Sequence, residues 1–143
     1  MVLSGAMNKG RLFDFMNRCS LAVVSYVGTN AAPQSAVVGI ATTPELEIVF
    51  DTVASSRKVP AIDKDGRASF VLWDGETTVQ FEGMARKISS SEIGKYHEIY
   101  FAKFPDAPAR LKWEGITYYL VAPKWIRYSD YNQSPPEIVE FRF

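Results

Sequence analysis

One cysteine, one histidine and no net charge set the first limits on what this chain can do. Cys19 alone cannot form an intramolecular disulfide, which fits a reducing compartment and leads us to expect a cytoplasmic protein. One histidine and one cysteine also argue against a zinc site, which draws on several such ligands at once. Sixteen acidic residues balance sixteen basic ones, so the electrostatic footprint of a nucleic-acid binder is missing. No apolar run approaches the roughly 20 residues that span a bilayer. The first residues lack the charged-then-apolar layout of a signal peptide. Residues 1–8 are expected to be an appended or disordered lead-in, with Met7 a candidate native start. Neither the Rossmann fingerprint G-x-G-x-x-G nor the P-loop G-x-x-x-x-G-K-S/T occurs, and no serine sits in a G-x-S-x-G elbow. The carboxylates show no pairing that singles out a glycosidase.

What is present suits one globular domain over residues 1–143, with 47% hydrophobic, 22% charged and 13% aromatic residues. Residues 9–19 place Leu12, Phe13, Phe15, Met16 and Cys19 at helical spacing, the pattern of an amphipathic helix. Cys19 belongs to that stripe and reads as a small buried hydrophobe. Residues 21–27 form a β-branched strand that ends at Gly28-Thr29-Asn30. A second strand is expected over residues 34–41 and a third over 46–52. A short helix follows over 56–65, with Pro60 near its start. Residues 68–73, the turn Asp74-Gly75 and residues 77–88 read as a hairpin. Gly83 interrupts its returning strand and suggests a bulge or a barrel corner. A helix is expected from the Ser89–Glu92 region to about Phe104, carrying His97, which reads as an ordinary surface histidine. Strands over 116–122 and 125–128, with a turn at Pro123 between them, precede a last strand at the C-terminus. Hairpin order and strand count indicate an antiparallel barrel with helical additions.

Three stretches bear on chemistry. In Thr52-Val53-Ala54-Ser55-Ser56-Arg57-Lys58 a strand gives way to hydroxyls, a helix start and two adjacent cations. Backbone N–H groups, hydroxyls, a guanidinium fork and an ammonium suit a phosphate. A capped helix with a basic first turn is the other reading, although cations there oppose the helix dipole. Small residues at Ser35, Ala36 and Gly39 leave the second strand approachable, for packing under a helix or for a flat ligand. Trp125-Ile126-Arg127-Tyr128 is either plain strand alternation or an aromatic and an arginine presented to a conjugated ligand.

Taken in order, Pro33-Gln34-Ser35-Ala36-Val37-Val38, Ile48-Val49-Phe50-Asp51-Thr52, Ser55-Ser56-Arg57-Lys58, Asp65-Gly66-Arg67-Ala68-Ser69-Phe70, Thr78-Val79-Gln80-Phe81-Glu82-Gly83-Met84-Ala85 and Pro123-Lys124-Trp125-Ile126-Arg127-Tyr128 form a pattern. It resembles the FMN-binding split barrel of the pyridoxamine 5'-phosphate oxidase family. The resemblance implies a mainly β split barrel with about three peripheral helices, a homodimer, and FMN at the subunit interface. It implies that Arg57 and Lys58 hold the FMN phosphate with help from Thr52 and Ser56. By the same resemblance Ser35, Ala36, Val37 and Val38 run along the isoalloxazine, and Gln80 adds a contact. Trp125 and Arg127 would then approach from the partner subunit. The chain is shorter than the full oxidase and has no histidine beside its C-terminal arginine, so the resemblance implies a related flavoprotein with another small-molecule substrate. The expected function is therefore FMN-dependent oxidoreduction. The alternatives are a flavin-binding or sensing module without turnover, or the same barrel holding a deazaflavin or haem.

Overall fold

The computed structural model describes residues 6–143. Helix α1 (Lys9–Arg18) starts where the Asn8 side chain accepts the Arg11 backbone N–H at 2.9 Å, an N-cap that satisfies one orphan donor. Met7 is buried against the core beside it. Residues 1–5 of the expected lead-in lie outside the described residues. Strand β1 (Leu21–Val27) pairs antiparallel with β2 (Pro33–Gly39). After Ile40 the chain forms β3 (Ala41–Thr42), which pairs with β4 (Ile48–Val53). Helix α2 (Lys58–Lys64) leads into the hairpin β5 (Arg67–Asp74) and β6 (Thr77–Lys87). Gly75, at φ +59°, supplies the left-handed turn residue of that hairpin. Helix α3 (Ile93–Lys103), a 3-10 helix (Ala107–Lys112), β7 (Ile116–Asp130) and β8 (Glu137–Arg142) complete the described chain.

The strands run β2-β1-β5-β6-β7-β4-β3, with β8 also on β7. The two ends of that order, β2 and β3, are separated in the chain by Ile40 alone. A sheet whose opposite edges are joined by one residue must curl until they meet, which makes it a barrel. Closure is incomplete: β2 and β4 pack together but do not pair. The opening beside β2 is the split.

Alternation along each strand divides the side chains between two faces. Phe50, Phe70, Phe81, Tyr119 and Ile126 fill the interior. Phe50 stacks on Tyr119 at 5.5 Å and meets Phe70 edge-on at 5.9 Å. Both α1, through Leu12, Phe15 and Met16, and α2, through Val59, Ala61 and Ile62, turn apolar stripes into this core. A second cluster forms outside the barrel wall, where α3 and the 3-10 helix cover Val49, Tyr118 and Leu120.

Two sequence expectations change. The strands over 116–122 and 125–128 are one continuous strand, and Pro123 is not a turn. It lies at a register shift against Gly83, with Gly83 opposite Pro123 and Glu82 opposite Trp125. A Cβ on Gly83 would come within 2.2 Å of the Ala122 carbonyl oxygen. Here β7 also exchanges β4, its partner up to Val121, for β8, its partner from Trp125. A proline is tolerated where the ladder is already interrupted. Likewise the short helix starts at Lys58 rather than Ser56, with Arg57 at its N-cap.

Candidate functional site

Strand β4, which leads into the expected phosphate corner, packs against the small-residue strand β2. The hydrogen bonds Ile40 N–H to Ser20 O (3.0 Å) and Gly28 N–H to Ala32 O (2.8 Å) fix the parity of the β1–β2 ladder. In an antiparallel pair the bonded positions alternate, so Gln34, Ala36 and Val38 direct their backbone groups to β1. Ser35, Val37 and Gly39 direct theirs the other way, along the edge facing β4, where β2 has no strand partner among the described residues. Side chains follow a second alternation: Val37 is exposed on the outer face and Val38 buried in the core, with Ala36 packed against it. The four expected ring-contacting residues are thus unlike one another. Ser35 and Val37 offer free edge amides, whereas Ala36 and Val38 serve the barrel interior.

Tyr100 ties the end of β2 to β4. Its hydroxyl lies 3.0 Å from Asp51 Oδ1 and 3.4 Å from the Gly39 carbonyl oxygen. Arg110 reaches the other Asp51 oxygen at 3.3 Å. Burial, with Asp51 next to it, pushes the Tyr100 phenol well above its ordinary range, so it stays a neutral donor. At the other end the corner turns. Ser56 Oγ accepts the Lys58 backbone N–H at 3.1 Å, and Thr52 is buried. Arg57 is exposed and Lys58 half-buried. Neither forms an ion pair among the described residues. Burial, then the neighbouring Arg57 charge, lowers the Lys58 pKa. Two adjacent cations without a carboxylate carry an electrostatic cost that a bound anion relieves. The corner is held in place by α2: Asp63 accepts from Tyr119 at 2.8 Å and pairs with Lys87 at 3.2 Å, and Lys64 reaches the Thr29 carbonyl at 3.3 Å.

The remaining expected residues lie elsewhere on the sheet. Cross-strand pairing runs Val37, Val23, Val71, Gln80, Arg127, Glu140 in one row over six strands, and Ser35, Ser25, Ser69, Glu82, Trp125, Arg142 in the next. Gln80, Trp125 and Arg127 therefore share the outer face with Ser35 and Val37, but four strand spacings of about 4.8 Å separate β2 from β7. Ile126 and Tyr128 point inward and are buried, as alternation requires. Glu140 gathers this second group: Trp125 Nε1 donates to it at 3.4 Å, and Arg127 Nε lies 3.9 Å away. Arg127 Nε itself is buried without a hydrogen-bond partner, an unmet donor that costs about 1–3 kcal/mol where nothing pairs it.

A family model described as pyridoxamine 5'-phosphate oxidase matches residues 9–130. The chain belongs to that family. No curated protein matches it. Among solved structures, a haem-binding protein from Mycobacterium smegmatis superposes with a TM-score of 0.80 at 12% identity, over 99% of this chain. The chain spans 60% of the length of that protein. The General Stress Protein 26 of Bacillus anthracis gives 0.71 at 18% identity, covering 93% of this chain and 98% of its own. A pyridoxamine 5'-phosphate oxidase-related, FMN-binding protein from Nostoc punctiforme gives 0.69 at 14% identity, covering 98% of each. At such identities the likeness establishes the fold and nothing finer. Among the described residues no helix is long and apolar enough to cross a membrane, and no cluster of His, Cys, Asp and Glu could hold a metal ion.

Sequence reasoning missed Asp51, Tyr100 and Arg110, which frame the opening. Their only local signal is a lone carboxylate at the end of an apolar strand, and its partners come from distant segments.

Proposed function

We propose that this protein is an FMN-dependent oxidoreductase acting on a small molecule, working as a cytoplasmic homodimer with FMN at the subunit interface. The observation that carries this reading is that Arg57 and Lys58, which follow β4, form no ion pair among the described residues, while β2, packed against β4, keeps the backbone edge of Ser35 and Val37 without a strand partner. A ligand with a phosphate at one end and a flat, hydrogen-bonding ring at the other fits that arrangement. When bound, FMN supplies the hydride or electron transfer. The chain's own residues anchor the phosphate at Arg57, Lys58 and Ser56, and offer edge amides to the ring.

The dimer follows from reach. A ring on the β2 edge is out of range of Trp125 and Arg127 of its own chain, four strands away along the sheet. Around the other side, Arg127 lies about 20 Å along β7 beyond the β4-paired Val121. A second protomer supplying Gln80, Trp125 and Arg127 would complete the site and cover the exposed Val37 and Val71. Haem fits less well. The one histidine, His97, stacks on Phe101 at 4.8 Å and meets Tyr118 at 4.7 Å beneath α3, with its Nε2 buried.

The test is the visible spectrum of the purified protein before and after adding FMN, with a deazaflavin in parallel. We expect a bound-flavin spectrum and bleaching on anaerobic mixing with NADH or NADPH. Replacing Arg57 and Lys58 together with Ala should weaken FMN binding by about 3 kcal/mol, roughly a hundredfold. A protein that never takes up FMN sinks the proposal. One that binds FMN without bleaching under any donor is the non-catalytic module instead.

A further inference from the structure

The β3–β4 ladder stops where the split begins. Thr43 N–H donates to Glu47 O at 2.9 Å, and Ala41 pairs with Val49 two residues along each strand. Bonded pairs recur at every second residue of an antiparallel ladder, so the next rung would join Gly39 to Asp51. Both residues are turned for it. The bond from Ala54 N–H to Gly115 O (2.8 Å) sends the backbone groups of Thr52 and Ala54 toward β7, and those of Asp51 and Val53 toward β2. Gly39 faces β4 by the parity of the β1–β2 ladder. Yet the rung is not formed. Between the two residues stands the Tyr100 hydroxyl, 3.4 Å from the Gly39 carbonyl oxygen and 3.0 Å from Asp51 Oδ1. A phenol has one proton for these two acceptors, and the carboxylate, nearer and charged, takes the larger share. Toward Gly39 the hydroxyl therefore holds the carbonyl off as much as it binds it. Glycine leaves the room: a Cβ at position 39 would come within 3.2 Å of the Phe104 ring and 3.4 Å of the Tyr100 oxygen. Arg110 fixes the other Asp51 oxygen at 3.3 Å, and the buried Tyr100 ring packs on Phe104 and Tyr118.

We propose that Tyr100 is a positioning residue whose hydroxyl takes the place of the missing Gly39–Asp51 rung. It keeps β2 from zipping onto β4, so that the edge of Val37 and Ser35 stays open to the ring of a flavin. Taking the ring as a flavin rests on the function proposed above; the spacing role does not. The same register, carried on, sets Val37 opposite Val53 and Ser35 opposite Ser55. A closed seam would thus consume the backbone groups that the ring needs. Nothing in the β2 sequence prevents such pairing, since its unpaired positions Ser35, Val37 and Gly39 all carry an N–H. The block comes from outside the two strands, on α3.

The experiment is backbone amide exchange of the full chain without flavin, comparing Tyr100→Phe with the unmodified protein. Phenylalanine keeps the buried ring and removes only the spacing oxygen. Val53 O already accepts the Ser56 N–H at 2.9 Å, so new rungs report best at the Asp51 and Val53 amides. Their exchange should slow about tenfold or more as the seam closes. Unchanged or faster exchange overturns the proposal, because truncating a merely structural tyrosine loosens its surroundings. Ile93→Ala loosens the packing of α3 about two turns before Tyr100 and should not slow these amides; slowing there overturns the proposal equally. In parallel, Tyr100→Phe should weaken FMN and riboflavin by the same factor, about tenfold or more, since the loss falls on the ring and not on the phosphate. A closed seam with undiminished flavin affinity overturns the positioning role. An unmodified protein that takes up neither flavin counts against the flavin reading, and amide exchange then decides the spacing role by itself.

Discussion

The outer face of one sheet is treated in two ways. Around β3, β4 and the first half of β7 it is roofed by α3 and the 3-10 helix, and Val49, Tyr118 and Leu120 become a second core. Around β2, β1 and β5 it stays bare, with Val37 62%, Leu21 57%, Trp73 48% and Val71 44% exposed. The roofed half is fastened by polar groups. Asp51 collects Tyr100 and Arg110, one from each covering element. Among the described residues the bare half has no such fastening, and it carries apolar residues where water would favour polar ones. Contiguous exposed apolar surface of this kind marks an interaction face. The same alternation yields two outcomes because α3 and the 3-10 helix, which follow β6, cover one half.

The comparison breaks most visibly at Asp51. Asp51→Ala leaves the Arg110 guanidinium and the Tyr100 hydroxyl without their shared acceptor in a mostly buried setting, and should cost about 3 kcal/mol. Urea unfolding measures it; a loss below about 1 kcal/mol would show that apolar packing alone holds the roof. On the bare half the effect moves from folding to association. Val71→Glu should leave monomer unfolding within about 0.5 kcal/mol while weakening self-association at least about tenfold. Analytical ultracentrifugation decides it, and an unchanged sedimentation profile would place the interface elsewhere. The smallest effect concerns pH. Burial holds the His97 imidazole below its usual pKa. The unfolded histidine takes up a proton near about 6.5, the folded one only at lower pH. Stability is thus full above that value and declines as pH falls through it toward the folded pKa. A His97→Phe chain should show a shallower drop in melting temperature between neutral and mildly acidic buffer. Equal slopes would refute burial as the source.

Much of this was legible locally. The helix over 9–19, the hairpin turning at Asp74-Gly75, the Gly83 irregularity and the inward Ile126 and Tyr128 follow from side-chain period and turn chemistry. Pro123 was misleading for a definite reason. A proline reads as a stop unless one knows that the strand beside it carries Gly83 and that its own strand is changing partners there. Asp51 was equally silent, since Tyr100 and Arg110 stand 49 and 59 residues further on.

By itself the sequence determined most of the elements, the two faces of each strand and the family, because these depend on periodicity and on the order of short motifs. It also singled out Arg57 and Lys58 as an adjacent basic pair at a helix start. Only the tertiary structure decided that this pair forms no ion pair among the described residues and that Ser35 and Val37 turn their amides to the edge of β2 without a strand partner. It alone separated those two from Ala36 and Val38, because which amide faces β1 depends on ladder register. It alone put Trp125 and Arg127 four strands away on the same face, since curling a sheet fixes distances that spacing along a chain does not.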